Sequence, residues 1–453
     1  MVCSQKKHIP VIQLLQIGKG CEAVRRKYKR RKQKRTITGL VIITLVAMGV
    51  LCVGVFAGPL SIADSLNIES DSNDVLEGAS RVVKIRDGAA INDAMLVPIK
   101  AYFETYFDAM ADLKTADIAS LFADPASENA GINQSAMDYL INLRLDQSND
   151  LRMTNYECGL TISKISNNGG EVEVVLAEDH TVNFAFIPDV DSSSSGIEHT
   201  FYLKKAGNGY VITEHYKDED SFAMIQEAVE TTNDDPDEVV DALLSSATDV
   251  VAELAAEKED YNAGDAVSEE ADADNEYDAE AALKYAMTWV DPEKVIRNVN
   301  KYGVYDTYGG NCNNYISQCL FAGGIPMDDD GDVDTQWKWY GEDVDLDETK
   351  SGRSPAWTGV EEFYTYADEN TGYGLAAIVD DNVFSGSAGD ILQYGEDGEW
   401  LHSVIITDVI EDKNGNMVDY LINSNTTDRI NYPASAYGYS DLRVIKIVGW
   451  NDN

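Results

Sequence analysis

The chain has 453 residues, room for two or three domains at about 100–200 residues each. Hydrophobic residues make up 44% and charged residues 25%, as in globular proteins, and the formal net charge is −44. So acidic a surface repels nucleic acid, which excludes a nucleic-acid-binding role. The acidity is unevenly placed: residues 1–35 carry 12 of the 35 Lys and Arg but only Glu22 of the 79 Asp and Glu.

Residues 1–36 form a basic segment that ends in the cluster Arg25 to Arg35. Residues 37–58 follow without a charge and are apolar; about 20 such residues span a bilayer, and a positive flank stays on the cytoplasmic side. A single-pass signal-anchor is expected, with the C-terminal domains extracellular and the membrane contacted through residues 37–58. Val55-Phe56-Ala57 also resembles a cleavage site, and cutting near Ala57 would give a secreted protein instead. Of six cysteines, Cys158, Cys312 and Cys319 lie beyond the span. Cys312 and Cys319 are about 10 Å apart along one helix, too far for a disulfide. At least one external thiol is therefore free.

Residues 59–87 are rich in Ser, Asp and Asn and read as a stalk. Over 88–230 an α+β domain is expected. Ile91, Met95, Leu96, Ile99, Tyr102, Phe103, Tyr106, Phe107, Met110 and Leu113 recur at helical spacing, and a second helical stretch covers 115–144 with a break near Pro125. The period then changes to two. Strands are expected at Thr154–Ser166, Glu171–Ala177, His180–Ile187, His199–Lys205 and Tyr210–Tyr216, separated by turns and by a Ser-rich loop at 192–196. Helices followed by an antiparallel meander suggest a cone, similar to nuclear-transport-factor-like or cystatin-like shapes. His180, His199 and His215 fall on separate strands without ligand spacing and read as ordinary strand residues, not metal ligands. Cys158 reads as a small core residue. Residues 231–275 form an acidic helical linker, helical over Glu238–Leu254 and solvated over Glu257–Asn275.

The chemistry concentrates in residues 276–453. An amphipathic helix covers Tyr277–Trp289. Cys312 opens a second one, behind Gly309-Gly310, whose apolar residues Tyr315, Ile316, Cys319 and Leu320 mark its buried side. A thiol at a helix N-terminus lies at the positive end of the backbone dipole, which favours the nucleophilic thiolate. Short strands follow at Asp390–Tyr394, Trp400–Val409, Met417–Asn425 and Leu442–Val448, after a helix at Val360–Ala367. His402, the only histidine of this region, heads one of them. Cysteine hydrolysis needs a base, a group that fixes the base's tautomer and N–H donors for an oxyanion. His402 can be the base, with Asn425 or its neighbour Asn423 as orienter. Asn311 or Asn313 can add an oxyanion donor, and Trp337, Trp339 and Trp357 either line a cleft or fill the core. Cys319, buried among apolar residues, is expected to be inert. Acidic runs at 328–334 and 412–416 lack the spacing of calcium loops and read as turns.

The segments YDAEAALKYAMTWV, YGGNCNNYISQCLFAGGIP, SPAW, AGDILQY, LHSVIITDV and INSNTTDRINYP, in this order, resemble the putative amidase domain family of bacterial exported proteins. That family is a branch of the papain-like cell-wall hydrolases, related to the NlpC-type and CHAP groups. The resemblance implies a papain-like α+β hydrolase domain, Cys312 as nucleophile, His402 as base and Asn425 as the orienting residue. Asn311 departs from the Asp that commonly precedes the Cys, and Asn425 from the more usual His. The implied activity is a membrane-anchored cysteine amidase or peptidase, without metal or cofactor, acting through an acyl-enzyme on amide bonds of peptidoglycan. The alternative is a degenerate domain serving as a cell-wall binding or scaffold protein.

Overall fold

The computed structural model describes residues 80–266, 271–306, 310–341, 352–379, 381–396 and 398–452. The basic segment 1–36, the span 37–58 and the stalk up to residue 79 lie outside the described residues. Among those described, no helix is long and apolar enough to cross a membrane. The described chain is α+β, with eight α-helices and a twelve-stranded mixed sheet.

Strand β1 (Arg81–Ile85) runs parallel to β2 (Met153–Asn168), so the end of the expected stalk is sheet. Between them stand α1 (Asp93–Asp112) and α2 (Glu128–Asp146). Each starts on a capping side chain, Asn92 accepting from the Ala94 N–H and Ser127 from the Ala130 N–H, which satisfies donors the helix leaves open. Strands β3 (Glu171–Phe184), β4 (Ser192–Ala206) and β5 (Gly209–Lys217) complete an antiparallel meander.

Two expectations fail here for one reason, long-range pairing. The break expected near residue 178 does not exist: Glu178 and Asp179 stay inside β3 because His180 and His199 bond the first and Arg86 pairs with the second at 2.6 Å. The Ser-rich stretch is not a loop but the start of β4, buried and paired with β11 (Asp428–Pro433), more than 200 residues away. Small serines suit this junction, since Ser192 Oγ donates to the Asn431 carbonyl at 2.8 Å and Ser194 Oγ accepts from Arg429 at 3.0 Å.

Helix α3 (Asp220–Thr232) leads to α4 (Pro236–Ala263), which carries Pro at its first turn and ends on Gly264 at φ +75°. The helix runs past Leu254 to Ala263, so the helix ends later than expected, while residues 259–265 are exposed. Its last turns have few apolar residues because side-chain bonds hold them: Lys258 donates to the Val418 carbonyl at 3.1 Å, and Asn262 exchanges bonds with Met417 at 3.0 and 2.8 Å.

The remainder contains β6 (Asn275–Glu276), α5 (Ala279–Thr288), α6 (Cys312–Ala322), α7 (Pro355–Thr358), α8 (Val360–Glu369), β7 (Gly374–Val379), β8 (Ile391–Glu396), β9 (Glu399–Glu411), β10 (Met417–Ser424), β11 and β12 (Asp441–Asn451). Along the sheet the order is β1-β2-β3-β4-β11-β10-β9-β8-β12-β6, with β5 on β4 and β7 on β12. Alternation along the C-terminal strands sends side chains to two cores. Ile391, Ile405 and Ile445 meet Ile316, Cys319 and Leu320 of α6. Leu392, Val404, Ile406 and Ile422 belong to the core shared with α1, α2 and α4.

The two halves thus share a sheet and a core. Expressed alone, residues 271–453 would expose the β11 edge and the apolar face of Val404, Ile406 and Ile422. The expected result is aggregation or a broad, non-cooperative melt; a sharp transition at the melting temperature of the full chain would contradict it.

The three strand histidines are not independent. Asn133 is oriented by its Nδ2, which donates to the Asn129 carbonyl at 2.8 Å, so its Oδ1 accepts from Tyr102 Oη (2.9 Å) and His215 Nδ1 (2.6 Å). His215 Nε2 must then accept from His199 Nδ1 (2.9 Å), and His199 Nε2 shares a proton with Glu178 Oε2 (2.8 Å). Glu178 Oε1 accepts from His180 Nδ1 at 2.7 Å. Burial pushes the Glu178 carboxyl up, but the two histidine donors outweigh it and hold the group well below the ordinary carboxylate range. Among the described residues no group of three or more His, Cys, Asp or Glu could hold a metal ion.

Candidate active site

Helix α6 starts sharply. Gly310 takes φ +121°, a conformation closed to most side chains, and Asn311 turns the chain into the helix. Asn311 makes no side-chain cap, and no acidic residue stands in the first turn. The positive end of the helix is therefore left for the group at its first position, the Cys312 thiol. Cys312 is 6% exposed.

What fixes that start is a set of amides and one turn. Asn311 Oδ1 accepts from the Tyr305 N–H (3.2 Å) and Asn314 Nδ2 (2.8 Å). Asn314 also donates to the Gly303 carbonyl at 3.0 Å and accepts from Trp357 Nε1 at 2.9 Å. The backbone N–H of Asn311 donates to Thr426 Oγ1 in the turn between β10 and β11. Thr426 and Thr427 both adopt left-handed backbone, φ +68° and +53°, which costs a β-branched residue about 1–3 kcal/mol each. The turn is held open by Arg297, whose Nη1 and Nη2 both reach Asp428 at 2.7 Å while its Nε donates to Asp306 at 3.1 Å. Burial pushes the Asp428 carboxyl up to about 6, and Arg297 opposes this.

His402 lies on β9 opposite Tyr394 and is 4% exposed. By alternation it shares the side of Val404 and Ile406, whereas α6 packs on the side of Ile405. Cys312, at the tip of α6, stands beside the β10–β11 turn rather than over the middle of the sheet. Tyr437 lies beside His402. Its ring stacks on His402 with centroids 5.3 Å apart and on Tyr394 at 4.5 Å. Burial raises the pKa of its hydroxyl, Arg429 opposes the rise, and Asp220 and Cys312 add to it. Tyr437 and Arg297 lie outside the segments that carry the family resemblance, and Thr426 lies inside one of them without a role of its own.

The other expected site residues are placed as follows. Asn425 accepts from Asn311 Nδ2 and donates to the Trp289 carbonyl, both at 3.4 Å, so it touches the residue before the cysteine. Asn423 is fully buried, donates to Met287 Sδ at 3.1 Å and accepts from the Asn431 N–H at 2.8 Å, across the irregular end of the β10–β11 pair. Asn313 points inward and donates to the Ala356 carbonyl at 3.0 Å. Trp337 is fully enclosed, bonds Ser317 Oγ at 2.9 Å and packs on Trp357; of the two readings the sequence left open, it is core. Trp339 is half-buried, edge-on to Tyr302. Burial pushes the thiols of Cys319 and Cys158 well up, and neither is exposed.

Residues 276–448 match the family model of the putative amidase domain. Over 155 residues the chain is 32% identical to the uncharacterized protein YhbB of Bacillus subtilis (strain 168), a stretch that covers 34% of this chain and 42% of that protein. The chain thus spans less than half the length of this relative. No solved structure matches. Residues 276–448 are thus assigned to the putative amidase domain family, which suggests an amidase-like hydrolase for this part of the chain.

Proposed function

We propose that the protein is a cysteine-dependent amidase or peptidase of papain-like type, anchored through residues 37–58 with its described part outside the cell, acting on amide bonds of peptidoglycan. The observation that carries the chemistry is Cys312 as the first residue of a helix with no side-chain cap and no acidic residue in its first turn. In this reading the Cys312 thiolate attacks the carbonyl carbon and His402 takes up the thiol proton. His402 then passes that proton to the leaving amine, and the thioester formed on Cys312 is hydrolysed by water that His402 activates. N–H donors of the first turn of α6 receive the oxyanion. Asn425 bonds the residue preceding the nucleophile and acts as a positioning residue. Wall substrate and outward topology rest on the family's exported character and on the basic-then-apolar N-terminus.

A thiol-directed electrophile tests the assignment. Labelling at Cys312 is expected to be at least about tenfold faster than at Cys319 or Cys158, and His402→Gln should remove most of that advantage. Equal, slow labelling of all three would overturn the enzyme reading in favour of a scaffold.

A further inference from the structure

Between the meander and the amidase domain lies a small cavity of about 50 Å³ with an open mouth. It is distinct from the Cys312 site. Helix α1 lines it with Tyr102, Phe103 and Phe107, and the charged groups facing it are Arg144, Glu178, His180, His199, Lys217, Glu219 and Arg429.

The charges do not cancel. Glu178 is bonded to both His199 and His180, so that carboxylate is already engaged in its own network. Lys217 stands 3.4 Å from Glu219, whose oxygens also receive the first N–H groups of α3. Arg144 and Arg429 remain. They are 7% and 8% exposed, and the Nε of each is buried without a hydrogen-bond partner among the described residues. Arg144 donates only through Nη2, to Tyr432 Oη at 3.4 Å and the Ala436 carbonyl at 3.2 Å. Arg429 donates through Nη1 to Ser194 Oγ at 3.0 Å and lies over the rings of Tyr432 and Tyr437 at 4.7 and 4.9 Å. No described carboxylate pairs with either within 4.0 Å, and Glu219 and Asp220 act on Arg429 only at longer range.

Two buried guanidiniums without an anion are costly, because desolvating an ion takes several kcal/mol unless a counter-charge repays it. The guanidinium fork also matches carboxylate and phosphate oxygens in bidentate fashion. We infer that the cavity is a binding site for a small oxyanion, a carboxylate or phosphate group, held between Arg144 and Arg429. The group reaches the cavity from a free metabolite or as the end of a larger molecule at the mouth. Arg429 also covers Tyr437, whose ring stacks on His402, so the site borders a candidate catalytic residue through one ring.

Thermal melting of the full chain, titrated at constant ionic strength with acetate in one arm and inorganic phosphate in the other against chloride, tests the inference. The expected result is a saturable rise in melting temperature in at least one arm, and which arm responds identifies the oxyanion. Arg144→Met and Arg429→Met should each weaken the apparent affinity by at least about tenfold. Without added anion, Arg144→Met should melt at or above the wild-type temperature, because it removes a buried unpaired charge; a purely structural arginine would lower it. No saturable rise in either arm overturns the proposal, as does a rise that both variants retain. If a variant does not fold, the wild-type titration decides alone.

Discussion

Arg297→Met is expected to destabilise the protein by about 3–5 kcal/mol, the usual cost of breaking a buried ion pair by removing one partner. The side chains of Arg297 and Asp428 are 8% and 0% exposed. The substitution keeps most of the apolar volume, so the loss reports the stranded Asp428 carboxylate rather than a cavity. Because burial already holds Asp428 at about 6 with its partner present, removing the arginine raises it further. The sign of the pH effect follows. A carboxyl whose folded pKa lies above its unfolded value binds its proton more tightly in the native state, so stability falls as pH rises through that range. The variant should therefore recover part of its loss between pH 7 and pH 5, and Arg297→Met with Asp428→Asn should recover more than half of it. Denaturant unfolding at both pH values measures this. An Arg297→Met variant within about 1 kcal/mol of wild type at pH 7 would show that the pair is not what holds the turn.

The same substitution reaches the candidate site, since Asp428 follows the two left-handed threonines and Thr426 receives the N–H of Asn311. Strain in that turn persists only while its surroundings fix it. Loss of the Arg297 clamp is expected to slow thiol labelling at Cys312 under conditions where the protein remains folded.

Local signals in the sequence located the elements that bear the chemistry. Glycine followed by a helical apolar period was enough for α6 and its first residue, Cys312, and alternation was enough for β9 with His402. Helix α1 was legible from Ile91 to Leu113 for the same reason. What could not be read locally was whatever depends on residues far apart. Ser192 to Ser195 are poor strand formers by composition and become strand through β11. The end of α4 looks solvated and is held by the backbone of β10. Arg144 and Arg429 are 285 positions apart, and Tyr432 touches both. The histidines of the meander showed no spacing because Glu178 and Asn133, not a motif, link them.

Cys312→Ala is expected to lower amide hydrolysis by at least about 10⁴-fold, because loss of a covalent nucleophile leaves only binding and oxyanion stabilisation. The substitution removes one sulfur at a helix start and leaves the amides of Asn311, Asn314 and Asn425 in place, so the melting temperature should change little. Lost activity with retained folding separates the nucleophile from a structural thiol. His402→Gln should reproduce the loss, since general acid–base groups contribute about 10²–10⁴-fold.

The decisive measurement is incubation of the protein with purified peptidoglycan, followed by mass spectrometry of the released fragments, with Cys312→Ala beside it. New amine and carboxyl ends at one amide bond, formed by the wild type and absent with Cys312→Ala, are expected. Fragments released equally by both proteins, or none from any wall type, would contradict a cysteine amidase at Cys312.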